Sequence, residues 1–470
     1  MRIGIGRIKN EISPIHKLPR DLLQEVFHYA CWSDQHKAPH SVVTLSHVCY
    51  LWRVILLSTP QFWRAVTVDG RDPSFAAACL VRSGSLPLDV TLQFNDTATP
   101  DEDDSGAEFS LGLLEHEDVR WRLDECREGL TLLEAERDRI HRLYINCISL
   151  GSNRFDYLVP EHGFFGCAPK NLQELWWYHY DGQGLCPLPF QLFDGSFESL
   201  RHLRLENVEV FVKWIPNLTS LEYINSGGPD RAIPVGMQEF FRRSRSLRSL
   251  KIVGWEIYEE YRPRIYMANL TSLTLEGVLN WYLFPELLMI KNLDRGTFTT
   301  ISFSDENGIT FSAVNSVGFS LTATILPDED PEEDDFMRSY FSEASLVRLE
   351  DFQIISDTKR LISILRVLGD SEGDMGRLEL HAETEYLNTD VEVAIFAEPF
   401  LPRLKTLAIY LPEWLVPKEW VETMVDDLFR SCHNARFSDE CAVEVYHSAT
   451  GFSLLTNMGE LRAGFEDGGS

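Results

Sequence analysis

The residues that could hold a metal ion cluster near the start of the chain. Imidazole and thiol groups recur there at short spacings: His28, Cys31, His36, His40, His47 and Cys49. Zinc favours such ligands. The alternative interpretation is ordinary packing, because Cys31 ends one apolar stripe and Cys49 lies in another. The spacing matches no zinc motif closely, so we predict no metal site and no cofactor.

The sequence also lacks the motifs of common enzymes. The phosphate loop G-x-x-x-x-G-K-[ST], the nucleophile elbow G-x-S-x-G and the metalloprotease helix H-E-x-x-H do not occur. Gly4-Ile5-Gly6 is only half of a phosphate loop, with no strand before it and no helix after it. None of the nine cysteines stands in a basic setting that would activate a thiol. We therefore predict that the chain is not an enzyme.

The charge of the chain excludes one class of partner. The formal net charge is −29, whereas nucleic-acid binding needs clustered Lys and Arg. Two runs hold much of the excess: residues 101–104 read DEDD, and residues 328–335 read DEDPEEDD. Like charges this dense repel one another, so both runs are predicted to be solvated acidic loops. A docking segment for a basic partner is the alternative.

Location follows from apolar runs and cysteine usage. No apolar run approaches the roughly eighteen residues that a membrane span needs, and the first residues lack the apolar core of a signal peptide. The cysteines form no C-x-x-C pair, which fits a reducing compartment. We expect an intracellular protein, cytoplasmic or nuclear, without membrane contact. The N-x-[ST] triplets at Asn95, Asn217 and Asn269 are then coincidental as glycosylation signals.

A weak repeat, L-x-x-L-x-L, begins at about residue 140. Its clearest copies are NLQELWW from Asn171, SLRHLRL from Ser199, NLTSLEYI from Asn217, SLRSLKI from Ser246, NLTSLTL from Asn269 and RLKTLAI from Arg403. Neighbouring copies up to Asn269 are spaced by about 18 to 29 residues, mostly within the range of leucine-rich repeats. Each L-x-L is predicted to be a short strand that buries its leucines against stacked neighbours.

Two features make this repeat irregular. The Asn expected three residues after the L-x-L is absent, since Val208 and Val278 stand there. We therefore predict an irregular solenoid with longer and more helical connections. Between Gly277 and Leu346 the register of the repeat fades.

The residues between the leucines form a candidate binding surface. Side chains alternate across a strand, so one residue of each copy faces away from the leucines. The predicted outward ladder is Trp176, Arg204, Glu222, Lys251 and Thr274, with Tyr178 beside it. Exposed Trp and Arg are frequent interaction hot spots. Alternatively, the connecting segments cover the rings of Trp176 and Trp177 as ordinary core.

The start of the chain reads as a small helical module. Leu18, Leu22, Leu23, Val26 and Phe27 share one helical stripe. Pro19 suits the first turn of that helix, because its missing N–H has no partner there. A second apolar helix follows, in the segment VCYLWR, and STPQFW closes the module at Trp63.

These segments resemble the F-box, a three-helix module that docks on the Skp adaptor of cullin-based ubiquitin ligases. The matching segments are LP at Leu18, the DLL and VF pairs, VCYLWR and STPQFW. The departures are Tyr50, where the family usually has Arg or Lys, and a lengthened link over 33–40. The resemblance implies an adaptor-binding set of Leu18, Pro19, Leu22, Leu23, Val26, Phe27, Val48, Cys49 and Trp52.

The run RSGSLPLDVTL resembles the segment that follows the F-box in many proteins of mushroom-forming fungi. The predicted architecture, of mixed α+β and α/β class, is an F-box-like module followed by an irregular leucine-rich-repeat-like solenoid. The predicted divisions are a basic tail over 1–12, the module over 13–66, a connecting region over 67–139, the repeats over 140–450 and a C-terminal tail over 451–470.

This resemblance implies a non-catalytic function. The chain would be the substrate-recognition subunit of an SCF-type ubiquitin ligase, binding a Skp-type adaptor and, through it, a cullin. The repeats would bind the target protein. The alternative is a leucine-rich-repeat binding protein whose degenerate F-box assembles no ligase.

Overall fold

The structure is a computed structural model, and the residues that it describes form short segments along the chain. They are 13–32, 38–70, 73–94, 116–148, 163–180, 186–187, 197–209, 215–226, 233–256, 267–278, 298–304, 309–315, 320–325, 346–350, 377–381, 405–410, 441–447 and 452–457. The basic tail 1–12 and both acidic runs lie outside the described residues. The chain divides into two compact units, Met1–Glu222 and Tyr223–Ser470.

The described part of unit 1 begins with the predicted helical module. Its helices are α1 (Arg20–Trp32), α2 (Ala38–Ser46) and α3 (Tyr50–Ser58), flanked by 3₁₀ turns at Pro14–Lys17 and Pro60–Trp63. Further along come α4 (Pro73–Arg82), α5 (His116–Ala135), a 3₁₀ turn at Arg137–Arg139 and the short α6 (Gly163–Gly166). Pro19 precedes α1 and accepts its first hydrogen bond, from the Leu23 N–H at 3.1 Å.

The helical module has its own apolar core. Leu23 and Phe27 on α1 are 1% exposed, and the Phe27 ring packs against Trp52 of α3 with centroids 4.7 Å apart. Two hydrogen bonds join the start of α1 to the end of α3. Arg20 donates to Ser58 Oγ at 2.8 Å, and Gln24 donates to Thr59 Oγ1 at 3.0 Å. Helices α1 and α3 are thus fixed against each other at both ends.

Trp63 joins the module to the sheet of unit 1. Its buried indole N–H donates to the Leu56 carbonyl at 2.8 Å, and the Arg82 guanidinium lies over its ring at 4.4 Å. Strand β1 (Ala65–Val68) begins two residues later. The module therefore leads into the sheet without a linker.

The sheet of unit 1 is parallel. Its strands after β1 are β2 (Leu88–Gln93), β3 (Ile140–Ile148), β4 (Glu174–Tyr180), β6 (His202–Glu206) and β8 (Ser220–Ile224), in that spatial order, and β8 spans the boundary between the units. A separate pair joins β5 (Cys186–Pro187) to β7 (Val208–Glu209). The sheet starts at Ala65 rather than at 140, so the predicted connecting region contributes strands to it.

The segment RSGSLPLDV is fixed between α4 and β2. Ser83 is fully buried, and Gly84 adopts a φ of 59°, which favours glycine. Arg139 donates from Nη2 to Ser83 Oγ at 2.7 Å and from Nε to the Leu86 carbonyl at 3.1 Å. One arginine thus satisfies polar groups of the loop that ends α4.

In four copies of the repeat, the residue before the first leucine forms a bond to the copy before it. Its side chain donates to a backbone carbonyl of the preceding copy. These bonds are Asn171 to Asp138 at 2.7 Å, Ser199 to Lys170 at 2.6 Å, Asn217 to Glu198 at 2.8 Å and Asn269 to Arg245 at 2.8 Å. Thr219 and Thr271 add hydroxyl bonds to Arg201 and Arg248. The N-x-T triplets at Asn217 and Asn269 therefore have a structural role in joining the copies.

The missing Asn of the repeat is present one residue earlier than predicted. Asn207 directly follows β6, has a φ of 55° and donates to the His179 carbonyl at 3.0 Å. Asn225 holds the same place after β8 and donates to the Gly254 carbonyl at 2.6 Å. The asparagine side chain that bonds the backbone of the turn therefore stands one residue earlier than the repeat pattern predicts. Val208, at the predicted position, is fully buried.

Unit 2 contains one described helix, α7 (Val235–Arg243), and a mixed sheet. Its strands are β9 (Ser249–Val253), β10 (Ser272–Glu276), β11 (Phe298–Ser304), β12 (Ile309–Asn315), β13 (Ser320–Ile325), β14 (Leu346–Glu350), β15 (Arg377–His381), β16 (Thr406–Tyr410), β17 (Ala442–His447) and β18 (Phe452–Asn457). Parallel pairs join β9 to β10, β10 to β13, β11 to β14 and the successive strands from β14 to β17.

An antiparallel insertion explains why the repeat fades after Gly277. Strands β11, β12 and β13 form a meander whose spatial order is reversed, so β13 lies beside β10 and β11 lies beside β14. Only a few residues separate successive strands of the meander, which leaves no room for the long connections of the repeat. A second antiparallel pair joins β17 to β18, which lies in the segment predicted as a C-terminal tail.

Candidate protein-binding surfaces

An apolar stripe of α1 faces solvent. Leu22 and Val26 on α1 are 52% and 44% exposed, and Leu18, two residues before the helix, continues the four-residue spacing and is 37% exposed. Leu23 and Phe27, one residue further along each turn, are buried. The helix therefore has two apolar stripes, of which one fills the core and the other has no partner in the described chain.

A second exposed apolar group surrounds the start of α3. It comprises Val48, Tyr50, Leu51 and Val54. The His16 imidazole lies 3.6 Å from the Cys49 thiol, so the segment before Leu18 is beside the segment that carries Val48. We call the exposed residues of the two groups together the apolar patch.

The nine predicted adaptor-binding residues fall into three groups. Leu18, Pro19, Leu22, Val26 and Val48 are exposed. Cys49 and Trp52 are half-buried, and Trp52 packs between Phe27 and His16. Leu23 and Phe27 belong to the core, so their part would be to support the patch rather than to touch a partner. Of the two departures from the F-box pattern, Tyr50 is exposed and belongs to the apolar patch, whereas residues 33–37 of the lengthened link lie outside the described residues.

The described metal candidates of the same region do not form a cluster. Cys31 is 1% exposed, and burial raises the pKa of its thiol to about 11, which disfavours the thiolate that zinc requires. Among the described residues, no three His, Cys, Asp or Glu side chains lie close enough to hold an ion. His36 and the side chain of His40 lie outside the described residues.

The second surface is the outward face of the sheet in unit 1. Trp176 and Arg204 are register partners on β4 and β6, and the guanidinium lies 5.2 Å from the indole centroid. Tyr144, the partner of Trp176 on β3, packs edge-on against the indole with centroids 4.9 Å apart. The three side chains therefore form a continuous aromatic and cationic row.

This row forms part of two clefts. The larger has a volume of about 350 Å³ and is lined by Thr91, Tyr144, Ile145, Asn146, Trp176, Trp177, Tyr178, Arg204 and Glu206. The smaller, of about 220 Å³, is lined by Glu174, Trp176, His202, Leu203, Arg204, Ser220 and Glu222. Trp176 and Arg204 are common to both, so we refer to the larger one as the Trp176 cleft.

Ion pairs cross the strands around the cleft. Arg204 lies 3.3 Å from Glu206 and 3.4 Å from Glu222. Arg142 lies 3.0 Å from Glu174 and 4.0 Å from Asp89. Asp89, which is 6% exposed, also pairs with Arg64 at 2.8 Å. Each arginine is thus already neutralised by neighbouring carboxylates.

The predicted outward ladder agrees with the strand register where it can be followed within a unit. Trp176 is paired with Arg204, and in unit 2 Lys251 is paired with Thr274. Lys251 also bonds Glu276 at 2.7 Å. Trp177 is 1% exposed and belongs to the core, whereas Trp176 and Tyr178 are half-buried beside the cleft.

The sequence prediction missed Arg142, Tyr144 and Asn146, which extend this face onto β3. A signal was present, because IHRLYI from Ile140 is an incomplete copy of the repeat. Applying the same alternation to it would have pointed Arg142 and Tyr144 outward. Because this copy lacks some of the leucines, the prediction of the outward face did not include Arg142 and Tyr144.

Burial is the main reason that the pKa of Tyr144 rises to about 12, with the Glu174 carboxylate adding to the effect and Arg142 opposing it. A tyrosine usually ionises near pH 10. Its folded pKa therefore exceeds its unfolded pKa. The resulting contribution to stability is present below about pH 10 and is lost as pH rises towards about 12.

We expect Tyr144→Phe to lessen the alkaline loss of stability. At pH 11 the parent should lose about 1.4 kcal/mol more than the variant, relative to each protein at pH 9. Urea unfolding of both proteins at the two pH values measures this difference. The buried thiols of Cys31 and Cys79 affect both proteins alike. Equal losses in parent and variant would contradict the assignment to Tyr144.

The chain matches no protein-family model and none of the curated proteins. Among the described helices, none is both long and apolar enough to cross a membrane.

Proposed function

We propose that this chain is the substrate-recognition subunit of an SCF-type ubiquitin ligase. In this proposal the residues 13–66 are an F-box-like module that docks a Skp-type adaptor and, through it, a cullin. The sheet behind it belongs to an irregular leucine-rich-repeat-like array that binds the target protein. The chain itself performs no covalent step.

The observation that carries the proposal is the apolar patch. Leu22 and Val26 are large aliphatic side chains that face solvent beside a well-filled core. Solvent-facing aliphatic groups that adjoin one another commonly mark a protein interface. Leu22 and Val26 are also positions at which the sequence resembles the F-box. For this reason we propose a Skp-type adaptor as the partner.

The connection between the two surfaces supports a scaffolding mechanism. Trp63 is held by Leu56 and Arg82, and β1 follows it directly. A target bound on the sheet of unit 1 would then stay near the adaptor. Such tethering raises the effective concentration of the target beside the ubiquitin-charged enzyme.

Adaptor binding by the unmutated chain tests this proposal. The full chain is titrated with a purified Skp-type adaptor in a calorimeter, and complex formation is checked by size-exclusion chromatography. We expect a one-to-one complex with a Kd of about 1 µM or tighter, equivalent to about 8 kcal/mol. An absence of binding at tens of micromolar would exclude the ligase assignment.

That negative result would favour the second candidate function. Exposed Tyr50 belongs to the patch and stands where the F-box family usually has a basic residue. A chain that has lost adaptor affinity there would remain a leucine-rich-repeat-like binding protein. Its Trp176 cleft would be unaffected by the loss.

A further inference from the structure

We infer that the Cys49 thiol is a modification site for small disulfides, and that the adduct closes the apolar patch to its partner. The site is a Cys–His pair that folding assembles from residues 33 positions apart. The second half of this inference rests on the proposed function, because it takes the partner to be a Skp-type adaptor. The first half depends on the chemistry of the pair alone.

His16 is placed to accept the proton of the Cys49 thiol. Its Nε2 atom lies 3.6 Å from the Cys49 Sγ atom, a hydrogen-bond distance for sulfur. The nucleophile of a cysteine is the thiolate, and an adjacent imidazole activates the thiol by taking its proton. Sequence spacing does not reveal this base, because His16 is on the 3₁₀ turn before α1 whereas Cys49 directly precedes α3.

The segments that carry the pair are basic. Residues 13–20 and 41–58 contain no carboxylate. Their basic side chains are those of His16, Lys17, Arg20, His47 and Arg53. On α1, which packs against α3, Asp21 and Glu25 are exposed. Cys49 is also the N-cap residue of α3, the positive end of that helix, and its side chain forms no capping bond. This setting suits an anionic reagent such as glutathione disulfide.

Cys49 is also more accessible than the core thiols. It is half-buried and stands between Val48 and Tyr50, which are 56% and 66% exposed. Cys31 and Cys79 are each 1% exposed, and burial raises the pKa of their thiols to about 11 and about 12. Reactive cysteines combine a base or positive charge with partial exposure, whereas buried ones are inert. Cys49 meets both conditions.

The exchange with glutathione disulfide needs no further reactant. The proton of Cys49 moves to His16, and the Cys49 sulfur attacks one sulfur of the disulfide. An S–S bond forms to Cys49 while the S–S bond of the reagent breaks, and the released thiolate takes the proton from His16. The Cys49 sulfur is oxidised and the departing glutathione sulfur is reduced, so atoms and electrons balance.

The adduct would occupy the apolar patch. Bound glutathione places carboxylates and an ammonium group beside Val48 and Tyr50. Unpaired charges are costly to bury in an apolar interface, and the added volume separates the two surfaces. We therefore expect the adduct and the adaptor to exclude each other, so the bound adaptor should in turn protect the thiol.

Reaction rates at the individual cysteines test the site without the adaptor. The reduced full chain and the variant His16→Gln are treated with glutathione disulfide at pH 7, and peptide mass spectrometry follows each thiol. We expect Cys49 to react at least about tenfold more slowly in the variant, because glutamine cannot accept the proton. At pH 9.5, where a thiol ionises without a base, the two rates should agree within about threefold. Exposed Cys167 should react alike in both proteins.

Adaptor titration of the treated proteins tests the effect on the patch. The treated parent should bind the adaptor at least about tenfold more weakly than the untreated parent, and reduction with dithiothreitol should restore the affinity. Cys49→Ser should show the same Kd before and after treatment, which assigns the effect to this thiol.

Three outcomes would overturn the inference: a Cys49 that reacts no faster than buried Cys31, equal rates at pH 7 in the parent and His16→Gln, or an unchanged adaptor affinity of the modified parent. If the untreated chain does not bind the adaptor, the ligase proposal fails, whereas the rate comparison still decides whether Cys49 is a modification site. The two failures are therefore distinguishable.

Discussion

Leu22→Asp is expected to abolish adaptor binding while the protein stays folded. Leu22 is 52% exposed, so the substitution should change the free energy of unfolding by only about 0.5 kcal/mol. In the complex it removes about 2 kcal/mol of apolar burial. It also leaves a carboxylate unpaired in the interface, at a cost of several kcal/mol. We expect the Kd in the adaptor titration to rise at least about 100-fold.

Two further variants make this experiment specific. Val26→Asp alters the same stripe and should give a similar loss. Val81→Asp introduces the same charge on α4, outside the apolar patch, at a residue that is 81% exposed. It should bind like the parent. A Leu22→Asp protein that is folded and binds within threefold of the parent would remove α1 from the interface. Phe27→Asp is unsuitable, because a charge in the core would unfold the module.

The second large effect is expected at Gly254, in the turn after β9. Its φ is 69°, and a Cβ there would overlap the backbone carbonyl oxygen of Asn225. The left-handed conformation costs an L-residue about 1–2 kcal/mol, and overpacking adds about 1–3 kcal/mol. Gly254→Ala should therefore destabilise unit 2 by about 2–5 kcal/mol. It should also weaken the bond from Asn225 Nδ2 to the Gly254 carbonyl.

Gly277→Ala is the matched control for this substitution. Gly277 has a similar φ of 57°, but a Cβ there meets nothing within 4 Å. Only the conformational cost of about 1–2 kcal/mol should appear. Urea unfolding gives the stabilities, and hydrogen exchange over 220–256 reports the local opening at the bond from Asn225 N–H to the Val253 carbonyl. Equal costs at the two glycines would contradict the close approach of Asn225.

The elements best predicted from sequence are those with strong local patterns. Helix α1 follows from its apolar spacing and Pro19, and the alternation of Leu175 and Trp177 correctly predicts which side chains of β4 are buried. The alternation over Leu88–Phe94 predicts a strand, which is present as β2, but it does not predict that β1 and β2 belong to the main sheet. Their pairing is made across long sequence separations, for instance by the bond from Asp89 N–H to the Arg64 carbonyl, and local composition does not encode it.

The candidate sites were predicted to different extents. The predicted adaptor-binding residues include members of the apolar patch together with core residues. The two are mixed because α1 is apolar on two adjacent stripes. Spacing alone does not say that Leu23 and Phe27 pack on Trp52 while Leu22 and Val26 face solvent. In the Trp176 cleft, Trp176 and Arg204 were predicted from the repeat, but Tyr144 lies in a copy too incomplete to use. The shifted Asn207 was missed because its left-handed turn depends on the carbonyl of His179, a neighbour in space.

The sequence by itself determined the periodic features: an amphipathic α1, a resemblance to the F-box, and short strands with buried leucines. These depend on interactions within one turn or one strand, which residue spacing records. The tertiary structure alone decided which apolar stripe is exposed, which carboxylates surround Arg204, and that Asn217 and Asn269 join neighbouring copies. Burial and ion pairing depend on residues distant in the chain, so only the packed strands and helices define them.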